Sequence, residues 1–438
     1  VTFTPAEIDA WCAGLPAPAS PSTAPRPLHT VYGGAHLFGA STLEKLGALA
    51  LAHLQRHGRD ASTFAAALGV PPALAEEVWA RTGAMLRAAP IQDYRIDFED
   101  GFGPRSDDEE DAAAVAAAEA LAARASGGGP LPALGIRIRA LEGDTAPRAL
   151  RTLDRFLSTA ARAGGWGGGP FVVTLPKVGS PRSVAVLAAA LDRLEAAIGL
   201  PSGAVGVELM VERPAALIAP DGRVAVPGLV AAAAGRCVAV HLGAYDLTAA
   251  CGVPAGDQAL DHPLCDAART WLQLALGETP VRVVDGATTL LPVGPHRGAS
   301  PSERERAEND RAVHAAWAAH ARNVRRAWAQ GIPQGWDLHP GQIPARFGTC
   351  VALALGSLPA TSERLRSFLD NAARATRTGS RFDDAATGLG LLRELRTGLQ
   401  TGLLTPAEVR SAGVEPDALA LPFAALVARR GGGGGATG

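Results

Sequence analysis

The feature that most constrains this chain is an alternation of short apolar runs with alanine-rich helical stretches. Eight runs predict strands: His29–Gly33, Tyr94–Glu99, Leu134–Ala140, Phe171–Lys177, Val205–Glu212, Cys237–Gly243, Val281–Asp285 and Gly335–Leu338. Most are near-continuous in apolar residues. A strand covered on both faces reads that way, because neither face meets water. Helical stretches such as 181–198 follow many of the runs. Strands alternating with helices pair in parallel. Eight such units predict an α/β fold of the (β/α)8 TIM barrel type, larger than the typical ~250 residues. An open doubly wound sheet is the competing arrangement. It is disfavoured because no GxGxxG follows the first run.

Several stretches exceed a minimal barrel. Residues 1–28 read as a lead-in, Pro- and Ala-rich from residue 12, and 29–345 as the barrel. Residues 40–90 read as a helical insertion after strand one, with Ser62 and Pro71 as helix starts. Residues 292–311 read as a polar loop, either a surface insertion or a mobile lid. Residues 346–429 form a C-terminal helical extension, and the glycine-rich 430–438 is expected to be disordered. The acidic segment 106–111 looks like a metal site. It reads better as a helix start, with Ser106 as N-cap and acids complementing the helix dipole.

The formal net charge of −2 gives no pull toward nucleic acid or anionic membrane. Five cysteines without a CxxC pair argue against a disulfide framework and for a reducing, cytoplasmic setting. Neither a secretory signal nor a membrane span is evident.

In a barrel of this type, chemistry sits at the carboxyl ends of the strands. Polar residues gather there: Asp97, Glu99 and Asp100 after strand two, Arg137 and Arg139 on strand three, Lys177 after strand four, Glu212 after strand five, Asp246 after strand six, Asp285 after strand seven and His339 after strand eight. Glu212 and Asp246 from adjacent strands could hold a hard cation such as Mg2+, which takes one or two carboxylates and keeps waters. Glu208, four residues before Glu212, faces the same side and reads as a buried structural acid. Arg137 and Arg139 share a face by the period-two rule. One could grip a substrate carboxylate and the other pair with Glu99 or Asp100. Lys177 could neutralise an enolate oxygen, form a Schiff base or make a structural ion pair. His36 and His339 are candidate proton acceptors or donors.

Six segments, in order, resemble the HpcH/HpaI aldolase and citrate lyase β-subunit family. They are Tyr94-RIDFEDGFGP-Arg105, Ile136-RIRAL-Glu142, Leu175-PKVG-Ser180, Leu209-MVERPAAL-Ile218, Leu242-GAYDLTAAC-Gly252 and Trp336-DLHPGQ-Ile343. The resemblance implies Mg2+ or Mn2+ at Glu212 and Asp246, with Arg137 on a substrate carboxylate or carbonyl and Glu99 and Asp100 nearby. It also implies a homo-oligomer. Two departures mark a divergent member: Arg139 stands where the family carries Asn, and Tyr245 where it carries Glu. Both become candidate substrate contacts. The implied activity is carbon–carbon cleavage or formation, through an enolate, on a small-molecule carboxylate or a CoA thioester. A free 2-oxo acid aldolase without CoA and a non-catalytic binding protein on a decayed barrel are the alternatives.

Overall fold

The structure, a computed structural model, describes residues 3–14, 20–128, 131–298, 300–370, 376–378, 381–383, 385–423 and 425–426. The tail 430–438 lies outside the described residues. Eight parallel strands form one sheet: β1 (His29–Gly34), β2 (Asp93–Asp97), β3 (Ala133–Arg137), β4 (Phe171–Leu175), β5 (Val205–Val211), β6 (Cys237–Leu242), β7 (Arg282–Val284) and β8 (Gly335–Asp337). Neighbours follow chain order, and β8 pairs with β1. The seam between β7 and β8 is closed by a parallel bridge at Ala287 and Trp336 and by Asp285 N–H donating to the Gln334 carbonyl at 2.9 Å. The predicted (β/α)8 barrel is therefore present.

Most strands stop short of the predicted ends, for local reasons. Pro176 has no N–H to donate, so β4 ends at Leu175. After β2 the Asp97 carboxylate captures the chain, accepting the Glu99 N–H at 2.9 Å and the Gly101 N–H at 2.7 Å. Ile136, Val173, Val207 and Leu209 are fully buried. Each such side chain stabilises by roughly 1.5–3 kcal/mol relative to exposure. Phe156 lies against Phe98 and Phe171, at centroid distances of 6.1 and 5.9 Å, and joins its helix (Thr145–Arg162) to the barrel wall.

The insertion after β1 holds helices Thr42–His57, Ala61–Leu68 and Ala75–Ala88. Their start signals differ from those read in the sequence. Asp60, not Ser62, caps the second helix by accepting the Thr63 N–H at 2.7 Å, and Pro71 precedes only a 3-10 turn, Pro72–Leu74. Ser106 does cap the helix Asp107–Ser126, in a capping box with Glu109. The segment 292–311 is a loop only in its first half: Ser302 caps a long helix, Glu303–Ala329, that takes up its second half. Asn309 ties down the first half, accepting the His296 N–H at 2.9 Å and donating to the His296 carbonyl at 3.0 Å.

The chain divides into two compact units, and Pro27–Leu353 holds the barrel. The other unit joins the N-terminal segment to the C-terminal helices. It contains the helix Pro5–Cys12, and Gln400 fastens Arg26 and Ser22 through bonds of 2.9 and 2.7 Å. The lead-in thus packs with the far end of the chain. The helix Ile343–Asp370 runs unbroken past the expected boundary at 345. The run Pro340–Asp370 is long and apolar enough to cross a membrane, but 61% of its most apolar window is buried.

Candidate active site at the barrel mouth

The deepest polar layer is structural. Glu208 on β5 is fully buried, and Arg95 on β2 donates to it twice, at 2.8 and 2.7 Å. Thr174 on β4 adds a bond of 2.8 Å, and Arg95 also pairs with Asp93. Burial pushes the Glu208 carboxyl up, but the Arg95 charge and His241 outweigh it and hold it well below the usual range. The scaffold role read for Glu208 matches this geometry.

Above that layer, adjacent residues of β2 and β3 form the first half of the site. Asp97 and Arg137 are register partners. Arg137 donates from Nε and Nη2 to Asp97 at 2.6 and 2.5 Å. The remaining nitrogen, Nη1, stands 3.2 Å from Glu99 and 3.6 Å from Asp100. The guanidinium carbon also lies 5.1 Å from the Tyr32 ring centroid and 5.6 Å from that of Trp336. These contacts fix a buried cation from several sides and leave one edge facing the mouth. Asp97, Tyr32 and Trp336 were not read as partners of Arg137. No local pattern connects them, since they come from three strands.

Lys177 links this half to the next. It follows β4 with a positive φ of 52°, which is rare for a residue with a side chain. In that conformation its N–H donates to Glu212 Oε1 at 2.5 Å while its ammonium donates to Glu99 at 2.5 Å. The same nitrogen lies 3.5 Å from Asp100 and 3.8 Å from Asp246. Burial lowers the ammonium pKa, but the hydrogen bond and charge of Glu99, with the charges of Glu212 and Asp100, outweigh it and leave it raised. Lys177 is therefore a charged donor in the resting protein.

Glu212, just after β5, is 1% exposed, whereas the Asp246 side chain is 45% exposed at the start of helix Ala244–Ala250. Burial pushes the Glu212 carboxyl up to about 7; the Lys177 charge opposes the shift and Asp246 adds to it. A Cβ on Gly243 would lie 2.4 Å from Glu212 Cβ and 2.5 Å from Oε2, so only glycine leaves room for this carboxylate. Two neighbouring acids, one of them buried, suit a hard cation that completes its shell with water and substrate. Among the described residues no group of three or more His, Cys, Asp or Glu gathers as a full protein cage.

The other predicted residues have partners of their own. Arg139 is past the end of β3, so the period-two rule no longer places it beside Arg137. It donates instead to Glu110 at 2.7 Å and to the Gly103 carbonyl at 3.1 Å. The Tyr245 hydroxyl donates to Thr289 at 2.9 Å. His36 is exposed in the 3-10 turn after β1, its ring 5.6 Å from that of Phe102. His339 caps a 3-10 turn, its Nδ1 accepting the Gly341 N–H at 3.0 Å, and its ring lies 5.3 Å from that of His53. Asp285 is held by Arg269 at 2.7 Å. An open cavity of about 700 Å³ is lined by residues including Cys251, Asp257 and His262 but by none of the cluster.

The family described as a domain of unknown function (DUF6986) matches residues 18–423. No curated protein matches the chain. Among solved structures, a citrate lyase from Burkholderia xenovorans LB400 superposes with a TM-score of 0.58 at 19% identity, over 91% of this chain and 98% of that one. A malate synthase from Haloferax volcanii, in a lead(II) complex, gives 0.45 at 13% identity, over 87% and 90%. The first likeness is one of fold: a divergent sequence on a citrate-lyase-like barrel.

Proposed function

This chain belongs to the DUF6986 family, and we propose that it is a divalent-metal-dependent carbon–carbon lyase or aldolase. Its substrate would be a 2-oxo acid bearing a carboxylate, or the corresponding CoA thioester. The observation that carries this reading is the convergence of Glu212, Asp246, Lys177 and Arg137 at one mouth of the barrel.

The residues divide the work as follows. Arg137 keeps two donors on Asp97 and offers its Nη1 edge, where a substrate carboxylate or carbonyl would replace contacts with Glu99 and Asp100. Cleavage leaves the bonding electron pair on the acyl fragment as an enolate. The hydroxyl of the other fragment loses its proton and becomes a carbonyl. Lys177 and Arg137 are donors already in place for that developing charge, which costs no reorganisation during reaction. Mg2+ or Mn2+ held by Glu212 and Asp246 would supply Lewis-acid polarisation. For the proton acceptor we favour His36. Because His339 Nδ1 accepts the Gly341 N–H, the neutral ring carries its proton on Nε2 and has no free acceptor nitrogen.

The test is a panel of 2-hydroxy and 2-oxo acids, each with and without its CoA thioester, assayed with Mg2+, with Mn2+ and after chelation. Turnover should require the metal. Asp246→Ala should lower it by about 10²–10³-fold, the usual scale for losing transition-state electrostatics, with circular dichroism unchanged. A fully active Asp246→Ala variant refutes the assignment. Turnover confined to thioesters, or to free acids, decides between the two substrate classes.

A further inference from the structure

We propose that Lys177 is an internal counter-ion that sets how tightly the barrel mouth binds a divalent cation. The inference rests on the metal reading of Glu212 and Asp246. Three observations converge on it. The ammonium stands among Glu99, Asp100 and Asp246, at 2.5, 3.5 and 3.8 Å. The main-chain N–H of the same residue holds Glu212 at 2.5 Å. The residue adopts a positive φ of 52°, a conformation that disfavours any side chain.

That conformation has a geometric purpose. It lets one residue reach the Glu212 carboxylate with its backbone and the Glu99–Asp100–Asp246 side with its side chain. In the metal-free protein the ammonium offsets the mutual repulsion of these acids. A divalent cation between Glu212 and Asp246 meets the same positive charge at close range. The ammonium therefore competes with the cation and weakens its binding. The main-chain contact to Glu212 does not compete, because it remains whatever the side chain is. Charges about 4 Å apart interact strongly even at a partly screened protein surface. Removing this one should tighten cation binding by at least about tenfold, a conservative fraction of that Coulomb energy.

The experiment is titration of the metal-free full-length chain with MnCl2, followed by calorimetry and by the loss of free Mn2+ signal in electron paramagnetic resonance. Lys177→Met keeps the bulk and the backbone cost but removes the charge. Lys177→Gly removes the charge and relieves the backbone, which guards against a folding failure of the first variant. Lys177→Arg keeps the charge. Under the proposal both neutral variants bind Mn2+ at least about tenfold more tightly than the parent, and Lys177→Arg stays close to it. A residue that merely holds the loop in shape would give the opposite sign, with weaker binding in the neutral variants. Parent binding with unchanged or weaker binding in both neutral variants overturns this inference and leaves the metal reading standing. Absence of Mn2+ binding in the parent and every variant overturns both.

Discussion

Replacing Glu212 by Gln should make a more stable and inactive protein, with a pH signature that identifies the cause. The folded-state carboxyl is pushed up to about 7, from an ordinary 4.5, chiefly by burial. The sign follows from proton linkage. Between about pH 4.5 and 7 the folded protein holds a proton that the unfolded chain releases, so stability falls as pH rises through that window and is level above it. At about 1.4 kcal/mol per unit, the shift costs the metal-free protein about 3 kcal/mol at pH 8. Glu212 is 1% exposed, so water does little to screen this cost. Gln keeps an oxygen to accept the Lys177 N–H and abolishes the charge. Glu212→Gln should therefore be more stable than the parent by up to about 3 kcal/mol at pH 8 and nearly equal to it at pH 4.5. The assay is urea unfolding in chelator, read by tryptophan fluorescence. Of the seven tryptophans only Trp11 lies outside the barrel unit, so the signal reports on the barrel. A variant no more stable than the parent at pH 8, or stabilised equally at both pH values, refutes the reasoning.

Two further outcomes follow from the ion pairs. Arg95→Met strips a fully buried partner from Glu208 and Asp93; the same unfolding assay should show a loss of about 3–5 kcal/mol, the cost of orphaning a buried charge. Arg139→Gln removes the nearer of two cations facing buried Glu110, the other being Arg148 at 3.6 Å. It should cost about 2 kcal/mol of stability and leave Mn2+ affinity unchanged by titration, whereas a large change in substrate KM would return Arg139 to the active site.

Much of this site was legible because its signals are local. Glu212 follows its apolar run directly and Asp246 opens the helix after the next one, and a barrel puts such positions at one rim. Glu208 could be sorted as structural because it sits mid-run. Arg139 went wrong for an equally local reason. The period-two rule holds only while the strand lasts, and β3 stops at Arg137. Glu110, its true partner, sat in an acidic stretch read only as a helix start, yet it is 1% exposed.

The sequence by itself determined the eight-strand barrel and the rim on which its polar residues stand, since burial period and chain order are written along one dimension. Which charge meets which was decided by the tertiary structure. Arg137 chooses Asp97 from forty residues away, and Lys177 gathers acids 35 to 78 residues distant through a left-handed turn. Ion pairing falls off with distance in space, not along the chain, so only closure of the barrel could settle those partners.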